Sequence, residues 1–209
     1  MKNNIAESYG WENAQPCCSQ SYLEPVVLSI CQKCQTQTVL DVGTGNGAML
    51  PLWLKQGWKV SAMEPDTDGF HIAKSVVGVD VRQLGVGDDL PSEWKNAFDV
   101  VISLEVVEHL FNPHQLVKTA LAVLKPGGYA VISTPYHGYL KNLILALIGK
   151  WDFHHHPERV GGHIKFFSAR TLEKIFKDKG FDLVEFKGAG RVPYLWKSMV
   201  MVFRRPIQK

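Results

Sequence analysis

The sequence predicts an α/β fold, a doubly wound and mostly parallel seven-stranded sheet with helices on both faces and an antiparallel C-terminal hairpin. The first observation behind this prediction is that short runs of apolar, β-branched residues alternate with helical patterns. Strands separated by helices pair in parallel, with right-handed crossovers. The second observation is that only a loop separates the last two predicted strands. A connection without a helix favours antiparallel pairing at the sheet edge.

The elements appear in the order that this fold requires. A helix over residues 23–30 precedes the first strand. The seven predicted strands span residues 38–42, 58–63, 79–84, 98–104, 129–133, 181–186 and 198–203. The helices among them are predicted at residues 48–56, 67–76, 113–124 and 169–180. The helix 113–124 repeats apolar residues on one face, and Lys125-Pro-Gly-Gly128 is expected to end it.

The whole chain, residues 1–209, is predicted to be a single domain, because no repeat or linker divides it. Residues 1–35 are expected to form an N-terminal helical cap. Residues 136–162 interrupt the alternation after the fifth strand, at the carboxyl edge where such sheets bind ligands. We interpret this segment as a lid insertion or substrate wall; the alternative is a helix packed on the core with a surface loop.

Composition and charge narrow the function classes. Apolar residues make up 45% of the chain and charged residues 21%, which is typical of globular proteins, and a formal charge of +3 is too small to indicate a nucleic-acid footprint. The first 20 residues contain no apolar segment typical of a signal peptide. The longest apolar run, residues 143–148, is far shorter than the ~20 residues that span a bilayer. We therefore expect a cytoplasmic protein with reduced cysteines, and the charge by itself does not indicate a nucleic-acid partner.

The segment Asp41-Val-Gly-Thr-Gly-Asn-Gly47 joins the first strand to the following helix. Gly43 and Gly45 allow positive φ and a close approach of the backbone to a ligand, and the helix start offers free N–H groups. The next strand ends at Glu64, whose carboxylate can accept hydrogen bonds from both hydroxyls of a ribose. The spacing is G-x-G-x-G, whereas many dehydrogenases have G-x-G-x-x-G. These features indicate a ribose-containing cofactor, and both NAD and S-adenosylmethionine remain open at this point.

Four motifs in register narrow the choice, namely DVGTGNGAML, AMEPD, FDVVISLEVVEHL and LKPGGYAVISTP. Together they resemble the Rossmann-like (class I) S-adenosylmethionine-dependent methyltransferases, and more narrowly the ubiquinone-biosynthesis-type O-methyltransferases. The similarity is close over residues 36–135 and looser over residues 162–168 and 179–181. It implies S-adenosylmethionine as the cofactor and a small molecule as the methyl acceptor.

The resemblance also implies which residues hold the cofactor. The three glycines of the loop would face its methionine part, Glu64 its ribose and Pro65 its adenosine. Many relatives carry an Asp for the adenine amino group at the position of Val86 in this chain. The adenine contact is therefore expected from the backbone of Val86 and Gly87, with Asp88 as a side-chain candidate. The predicted cofactor-binding residues are Asp41, Gly43, Gly45, Gly47, Glu64, Pro65, Val86, Gly87, Asp88, Ser103 and Leu104.

A second set of candidates follows the fourth strand. If a helical turn opens there, the side chains of Glu105, Glu108 and His109 project from one side, and carboxylates with an imidazole suit Mg²⁺ or another divalent cation. Some relatives are metal-assisted O-methyltransferases that carry this E-x-x-E-H motif with a later His before Lys-Phe, which corresponds to His163. The resemblance thus implies a metal site of Glu105, Glu108, His109 and His163.

The same residues also support an interpretation without metal. E-x-x-E-H occurs in enzymes of this superfamily that use none, where Glu108 and His109 cap or pair within the fold. His109 could equally be a general base near neutral pH. With or without metal, the predicted catalytic residues are Glu105, His109 and His163.

The apolar and aromatic residues of segment 136–162 favour O-methylation of a small aromatic or lipophilic hydroxyl compound. A lipophilic acceptor would also fit peripheral contact of this segment with a membrane.

Two other groups of residues are interpreted separately. The three histidines at residues 154–156 are interpreted as a solvated loop. Tyr9 and Trp11 either cover the cofactor or pack at the surface. Two other functions remain open, a metal-assisted RNA-end 2′-O-methyltransferase and a non-catalytic module that retains the cofactor pocket.

Overall fold

The computed structural model describes residues 9–207 and confirms the predicted fold. The strands are β1 Thr38–Val42, β2 Lys59–Met63, β3 Asp80–Arg82, β4 Phe98–Leu104, β5 Leu124–Pro135, β6 Asp182–Ala189 and β7 Ser198–Arg204. They form one seven-stranded sheet in the order β3-β2-β1-β4-β5-β7-β6. The pairs among β1 to β5 are parallel, whereas β7 is antiparallel to both β5 and β6.

The helices largely follow the predicted pattern. They are α1 Gln20–Lys33, α2 Leu50–Lys55, α3 Thr67–Lys74, α4 His114–Val123, α5 Tyr139–Leu147, α6 Trp151–His155 and α7 Ala169–Lys177. Helix α2 begins three residues after Gly47, later than predicted. Strand β5 begins five residues earlier than predicted, because Leu124 is buried and already pairs with Phe98 of β4. Lys125-Pro-Gly-Gly128 therefore follows the end of the helix as expected, but it belongs to the strand.

Side chains alternate between the two faces of the sheet, as the pleat of a strand requires. Val100 packs against buried side chains of α1, α2 and α3 on one face of the sheet. Its neighbour Val101 packs against buried side chains of α4 and α7 on the other face. Both faces of the central strands are thus apolar and covered by helices. Groups that bind polar ligands are left to the strand ends and the loops that follow them.

The sheet order places a crevice between β1 and β4. From β1 the chain crosses to β2 on one side, and from β4 it crosses to β5 on the other, so the two connections diverge above the carboxyl ends of these strands. The glycine loop follows β1, and Glu105 follows β4. Helices α5 and α6 follow β5 at the same edge. Within residues 9–207, no helix has the length and apolar character needed to cross a membrane.

Candidate active site

The loop after β1 continues the pairing of that strand with β2. The amide of Gly43 donates to the carbonyl of Met63 at 2.8 Å. Gly43, Gly45 and Gly47 have positive φ values of 74°, 59° and 73°. The closest approach is at Gly45, where an added Cβ would lie 2.5 Å from Cζ2 of Trp11. Only glycine combines this backbone conformation with so close an approach of another group.

Glu64 follows β2 and turns its carboxylate toward the glycine loop. Its Oε2 accepts a hydrogen bond from the amide of Gly45 at 2.6 Å, and its Oε1 accepts one from the amide of Asp66 at 2.9 Å. Burial raises the pKa of Glu64 to about 7, although both amides oppose the rise. Each carboxylate oxygen has two lone pairs, so each retains the capacity to accept a hydrogen bond from a hydroxyl.

Two other acidic residues order the backbone around this loop. Asp66 caps α3, because its Oδ2 accepts a hydrogen bond from the amide of Gly69 at 2.9 Å. Asp41 accepts a hydrogen bond from Nε1 of Trp53 at 2.9 Å, and burial raises its pKa to about 6. Asp41 therefore ties β1 to α2, and its contact with a cofactor stays a prediction. Pro65 is half-buried between Glu64 and the helix cap.

The segment predicted to hold adenine follows β3. Val86 is partly buried against the core, and Gly87 lies against the side chain of Gln115. Asp88 is exposed, and its Oδ2 accepts a hydrogen bond from the amide of Gly85 at 2.8 Å. The carboxylate of Asp88 thus stabilises the turn, and the predicted contacts with adenine remain predictions.

The residues at the end of β4 lie beside the glycine loop. The hydroxyl of Ser103 is buried and donates to the carbonyl of Val42, at the end of β1, at 3.0 Å. Leu104 is half-buried. An added Cβ at Gly43 would lie 2.6 Å from Cγ2 of Val106. The carboxyl end of β4 is therefore in direct contact with the loop that follows β1.

Glu105 corrects one expectation from the sequence. Its φ is +56°, and a 3₁₀ helix, Val107–His109, begins only two residues later. The hydroxyl of Ser133 donates to Oε1 of Glu105 at 2.7 Å, and that of Ser198 donates to Oε2 at 3.0 Å. Burial raises the pKa of Glu105 to about 7. The expected helical turn with three aligned side chains is wrong, because serines of β5 and β7 hold Glu105 apart from the others.

Glu108 is fully buried, and within residues 9–207 neither of its carboxylate oxygens makes a hydrogen bond of normal geometry, although the hydroxyl of Thr134 lies near enough to oppose the rise in its pKa. Burial and the neighbouring carboxyl of Glu105 raise its pKa well above the usual value. A buried ionisable group without a partner is destabilising unless something compensates it. Its backbone, by contrast, is hydrogen-bonded, since its carbonyl accepts hydrogen bonds from the amides of Ile164 and Lys165, both at 3.0 Å.

Two histidines face Glu108. Nε2 of His163 lies 4.0 Å from Oε1 of Glu108, and the ring of His163 meets that of His109 edge-on at 4.9 Å. Nδ1 of His109 lies 3.1 Å from the carbonyl of Gly162, and Nε2 lies 3.3 Å from the hydroxyl of Tyr9. Burial is the main cause that lowers the pKa of both imidazoles, that of His163 to about 4, so both are neutral at pH 7 and can offer a lone pair.

Glu108, His109 and His163 each offer one ligand atom, and these atoms lie within 4.8 Å of one another. Glu105 is outside this group. One carboxylate and two neutral imidazoles are a common donor set for divalent transition-metal ions. The unpartnered carboxylate of Glu108 is the group that a cation would compensate. The residues present therefore fit a divalent cation.

Comparison with known proteins gives the family. A family model described as a methyltransferase domain matches residues 20–186. The chain belongs to the methyltransferase-domain family. The assignment from the four motifs to the class I S-adenosylmethionine-dependent methyltransferases is thereby confirmed, and with it the cofactor. The methyltransferase is 27% identical over 161 residues to a ubiquinone biosynthesis O-methyltransferase of Burkholderia pseudomallei, across 74% of this chain and 68% of that protein.

Solved structures share the fold at lower identity. The 1,6-didemethyltoxoflavin-N1-methyltransferase of Burkholderia thailandensis, solved with S-adenosylhomocysteine, superposes with a TM-score of 0.66 at 17% identity and covers 88% of this chain and 78% of that one. The [4+2]-cyclase SpnF superposes with a TM-score of 0.69 at 15% identity, covering 95% of the methyltransferase and 86% of the cyclase. These neighbours establish the architecture, and the acceptor must be argued from the site itself.

The methyltransferase contains a wall of rings that the sequence did not indicate. His155 is only 9% exposed, and its ring lies 5.5 Å from that of His137, 5.0 Å from that of Phe166 and 4.3 Å from that of Trp151. The interpretation of residues 154–156 as a solvated loop is therefore wrong for His155. The spacing of Trp151 and His155, one helical turn apart, was the available signal.

Helix α5 has an inverted arrangement of polar and apolar side chains. Lys141 is its buried residue, and Nζ donates to the carbonyl of Tyr136 at 2.9 Å. Burial lowers the pKa of Lys141 to about 8. Leu143 and Leu147, by contrast, are exposed. A lysine within an apolar helix would normally be assigned to the solvent side, so this inversion could not be deduced from the sequence.

Proposed function

We propose that the methyltransferase transfers the methyl group of S-adenosylmethionine to a hydroxyl of a small aromatic compound, with the acceptor held beside a divalent cation at Glu108, His109 and His163. The observation that carries this proposal is the buried, unpartnered carboxylate of Glu108 facing two neutral imidazoles. It lies after β4, whose end contacts the glycine loop through Val106. The similarity to the Burkholderia pseudomallei ubiquinone biosynthesis O-methyltransferase supports a hydroxyl acceptor.

Methyl transfer from a sulfonium is an in-line displacement, in which the bond from the methyl carbon to sulfur breaks as the bond to the acceptor oxygen forms. S-adenosylhomocysteine is the leaving group, and the hydroxyl proton is released to solvent. The protein must align the acceptor oxygen, assist loss of its proton and exclude water from the reacting atoms. A divalent cation at this site would lower the pKa of an acceptor hydroxyl. The donor set of two nitrogens and one oxygen favours a transition-metal ion over Mg²⁺. Glu105 contributes by position, because its bonds to Ser133 and Ser198 fix the turn from which Glu108 and His109 project.

The ring wall supports an aromatic acceptor. His137, His155 and Phe166 form a group of mutually contacting rings, and both His137 and His155 have a buried Nε2 without a hydrogen-bond partner among the described residues. Burial is the main cause that lowers the pKa of both imidazoles, that of His137 to about 4, so both are neutral at pH 7. Such a wall offers ring contacts to an aromatic acceptor. Its two unpartnered nitrogens are buried, so they would bond to ring oxygens only of an acceptor that enters between the rings.

A methyl-transfer assay with tritium-labelled S-adenosylmethionine tests this proposal. Catechols, monophenols, sugars and RNA ends are offered to chelator-treated protein, with and without Mg²⁺ or Mn²⁺. We expect transfer to a catechol that rises at least about 100-fold with Mn²⁺. Catechol transfer that survives the chelator unchanged would remove the metal from the proposal. Preference for RNA would favour the 2′-O-methyltransferase alternative, and binding of cofactor without any transfer would favour the non-catalytic one.

We also propose that the exposed side of helices α5 and α6 makes peripheral contact with a lipid surface. Leu147 is 77% exposed and Phe153 72% exposed, while Nζ of Lys150 lies 5.3 Å from the Phe153 ring. An apolar surface with an adjacent cation suits an anionic headgroup region. We expect flotation with phosphatidylglycerol vesicles to fall at least about fivefold in Leu147→Glu. Val77→Glu is the control, since Val77 is 91% exposed and lies outside this segment; equal flotation of both variants would contradict membrane contact through α5.

A further inference from the structure

Residues 9–15 form a strap that crosses the glycine loop. Its first residue donates its amide to Oδ1 of Asp66 at 3.1 Å. Nδ2 of the buried Asn46 donates to the strap carbonyls of Asn13 and Gln15, both at 2.8 Å. The strap is therefore fixed at both ends to residues that surround the cofactor loop.

The indole of Trp11 rests directly on the glycine backbone. A Cβ added at Gly45 would lie 2.5 Å from Cζ2 of Trp11, and one added at Gly69 would lie 2.8 Å from Cδ1 of Trp11 and 3.2 Å from Cγ of Glu64. The bare backbone of such a loop is the surface that a nucleoside cofactor must approach. Trp11 therefore lies on the cofactor's side of the loop, in contact with it, rather than above a space that the cofactor could fill.

Tyr9 connects this indole to the proposed cation site. Its ring stacks on that of Trp11 at 5.3 Å, and its hydroxyl lies 3.3 Å from Nε2 of His109. Nδ1 of His109 faces the carbonyl of Gly162, which can only accept, so Nδ1 carries the proton and Nε2 has the lone pair. The Tyr9 hydroxyl donates to that lone pair, which is the one that His109 would offer to a cation.

We propose that the strap is an internal occupant of both sites, which S-adenosylmethionine and the divalent cation displace together, so that the two bind cooperatively. For the cation, this inference rests on the function proposed above. Trp11 holds the place of the cofactor, and Tyr9 holds the coordination position at His109. Because the two rings stack and are two residues apart, release of one releases the other.

The coupling follows from linkage. Whichever ligand binds first must break the strap contacts, and the second then binds to a site that is already open. The increase in affinity is the same in both directions, and couplings of this kind are about 5-fold to 150-fold. A strap that only covered a bound cofactor would act in the opposite sense, because its loss would weaken binding.

Isothermal titration of the full chain with S-adenosylhomocysteine, in chelator and in Mn²⁺, tests the proposal. In the unaltered chain we expect Mn²⁺ to tighten binding at least about fivefold. In Trp11→Ala we expect tighter binding in chelator and less than about a twofold further effect of Mn²⁺. Glu12→Gln is the matched control, since this strap side chain is exposed, and it should behave as the unaltered chain does.

Weaker or unchanged binding of S-adenosylhomocysteine to Trp11→Ala would overturn the occupant role. Binding of Mn²⁺ with the same effect in both chains would overturn the coupling. If Mn²⁺ binds neither chain, the proposed metal site fails and the coupling fails with it, whereas the chelator titrations still decide the role of Trp11. The two failures are thus distinguishable.

Hydrogen exchange supplies a measurement that needs no variant. The amide of Tyr9 is bonded to Asp66 and should exchange slowly without ligand. Displacement of the strap predicts faster exchange of this amide when S-adenosylhomocysteine is bound. Slower exchange would show that the strap closes over the cofactor, and the proposal would be wrong.

Discussion

Replacement of Glu64 by alanine is expected to weaken binding of S-adenosylhomocysteine at least about 100-fold. The carboxylate holds the amides of Gly45 and Asp66, and both of its oxygens retain lone pairs for the ribose hydroxyls. A hydrogen bond to a charged group contributes about 1.5–3 kcal/mol, and two of them exceed two factors of ten in affinity. Glu64→Gln should lose less, because its amide oxygen still accepts. Calorimetric titration of the full chain measures both variants.

Asp89→Ala is the matched control for this prediction. Asp89 also follows β3, but it is exposed and is not among the predicted cofactor-binding residues. Its loss should change the affinity by no more than about twofold, as is usual for exposed positions. If Glu64→Ala binds as tightly as Asp89→Ala does, Glu64 does not hold the ribose.

The Glu64→Gln variant should also flatten the dependence of stability on pH. Burial raises the pKa of this carboxyl from 4.5 to about 7 in the folded protein. The folded protein thus binds this proton more tightly than the unfolded chain does. Its contribution to stability is complete below pH 4.5 and is lost as the pH rises to about 7, by roughly 3 kcal/mol. Chemical denaturation at about pH 5 and about pH 8 should show a smaller difference for the variant.

The fold could be predicted because its determinants are local. The alternation of Val100 and Val101 between two hydrophobic clusters follows from the pleat alone. The glycine loop was assigned correctly to the end of β1, since its residues are contiguous and must adopt a special backbone conformation. Both features are determined by residues that are adjacent in sequence, and so a local sequence pattern is enough to predict them.

The positions of the side chains around the proposed cation and acceptor sites depend on partners that are distant in sequence. Glu105 leaves the expected helical turn because Ser133 and Ser198, which are 28 and 93 positions away, hold its carboxylate. Trp11 reaches Gly45 from a segment without periodic pattern. His155 is buried because His137 and Phe166 meet it from other elements. Side-chain partners of this kind are set by the topology, and no local pattern encodes them.

Replacement of Glu108 by glutamine is expected to lower methyl transfer at least about 100-fold while it raises the stability of the chelator-treated protein. The carboxyl is fully buried without a hydrogen-bond partner in the described part of the chain, and burial raises its pKa. Without a cation at neutral pH, the folded protein must therefore either keep this group protonated or bury its charge, and both cost stability. A neutral amide of the same shape should relieve about 1 kcal/mol, or about 2–4 °C in the melting temperature. Loss of activity follows because a bound cation supplies several kcal/mol of transition-state stabilisation.

For Glu108→Gln we expect activity to fall and stability to rise, and these opposite signs separate a binding role of Glu108 from a structural one. Residues selected for function often reduce stability, whereas a residue that only supports the fold loses stability when it is replaced. Glu105→Gln is the matched comparison, because Glu105 is bonded to two serines and lies outside the group of three ligand atoms. It should lower the melting temperature, because one of the two serine bonds is lost. It should weaken Mn²⁺ binding by no more than about threefold, because the amide oxygen of Gln still accepts the other bond and all three ligand atoms remain. If Glu108→Gln melts below the unaltered protein and still transfers methyl groups, Glu108 is structural, and the E-x-x-E-H motif of this chain holds no metal.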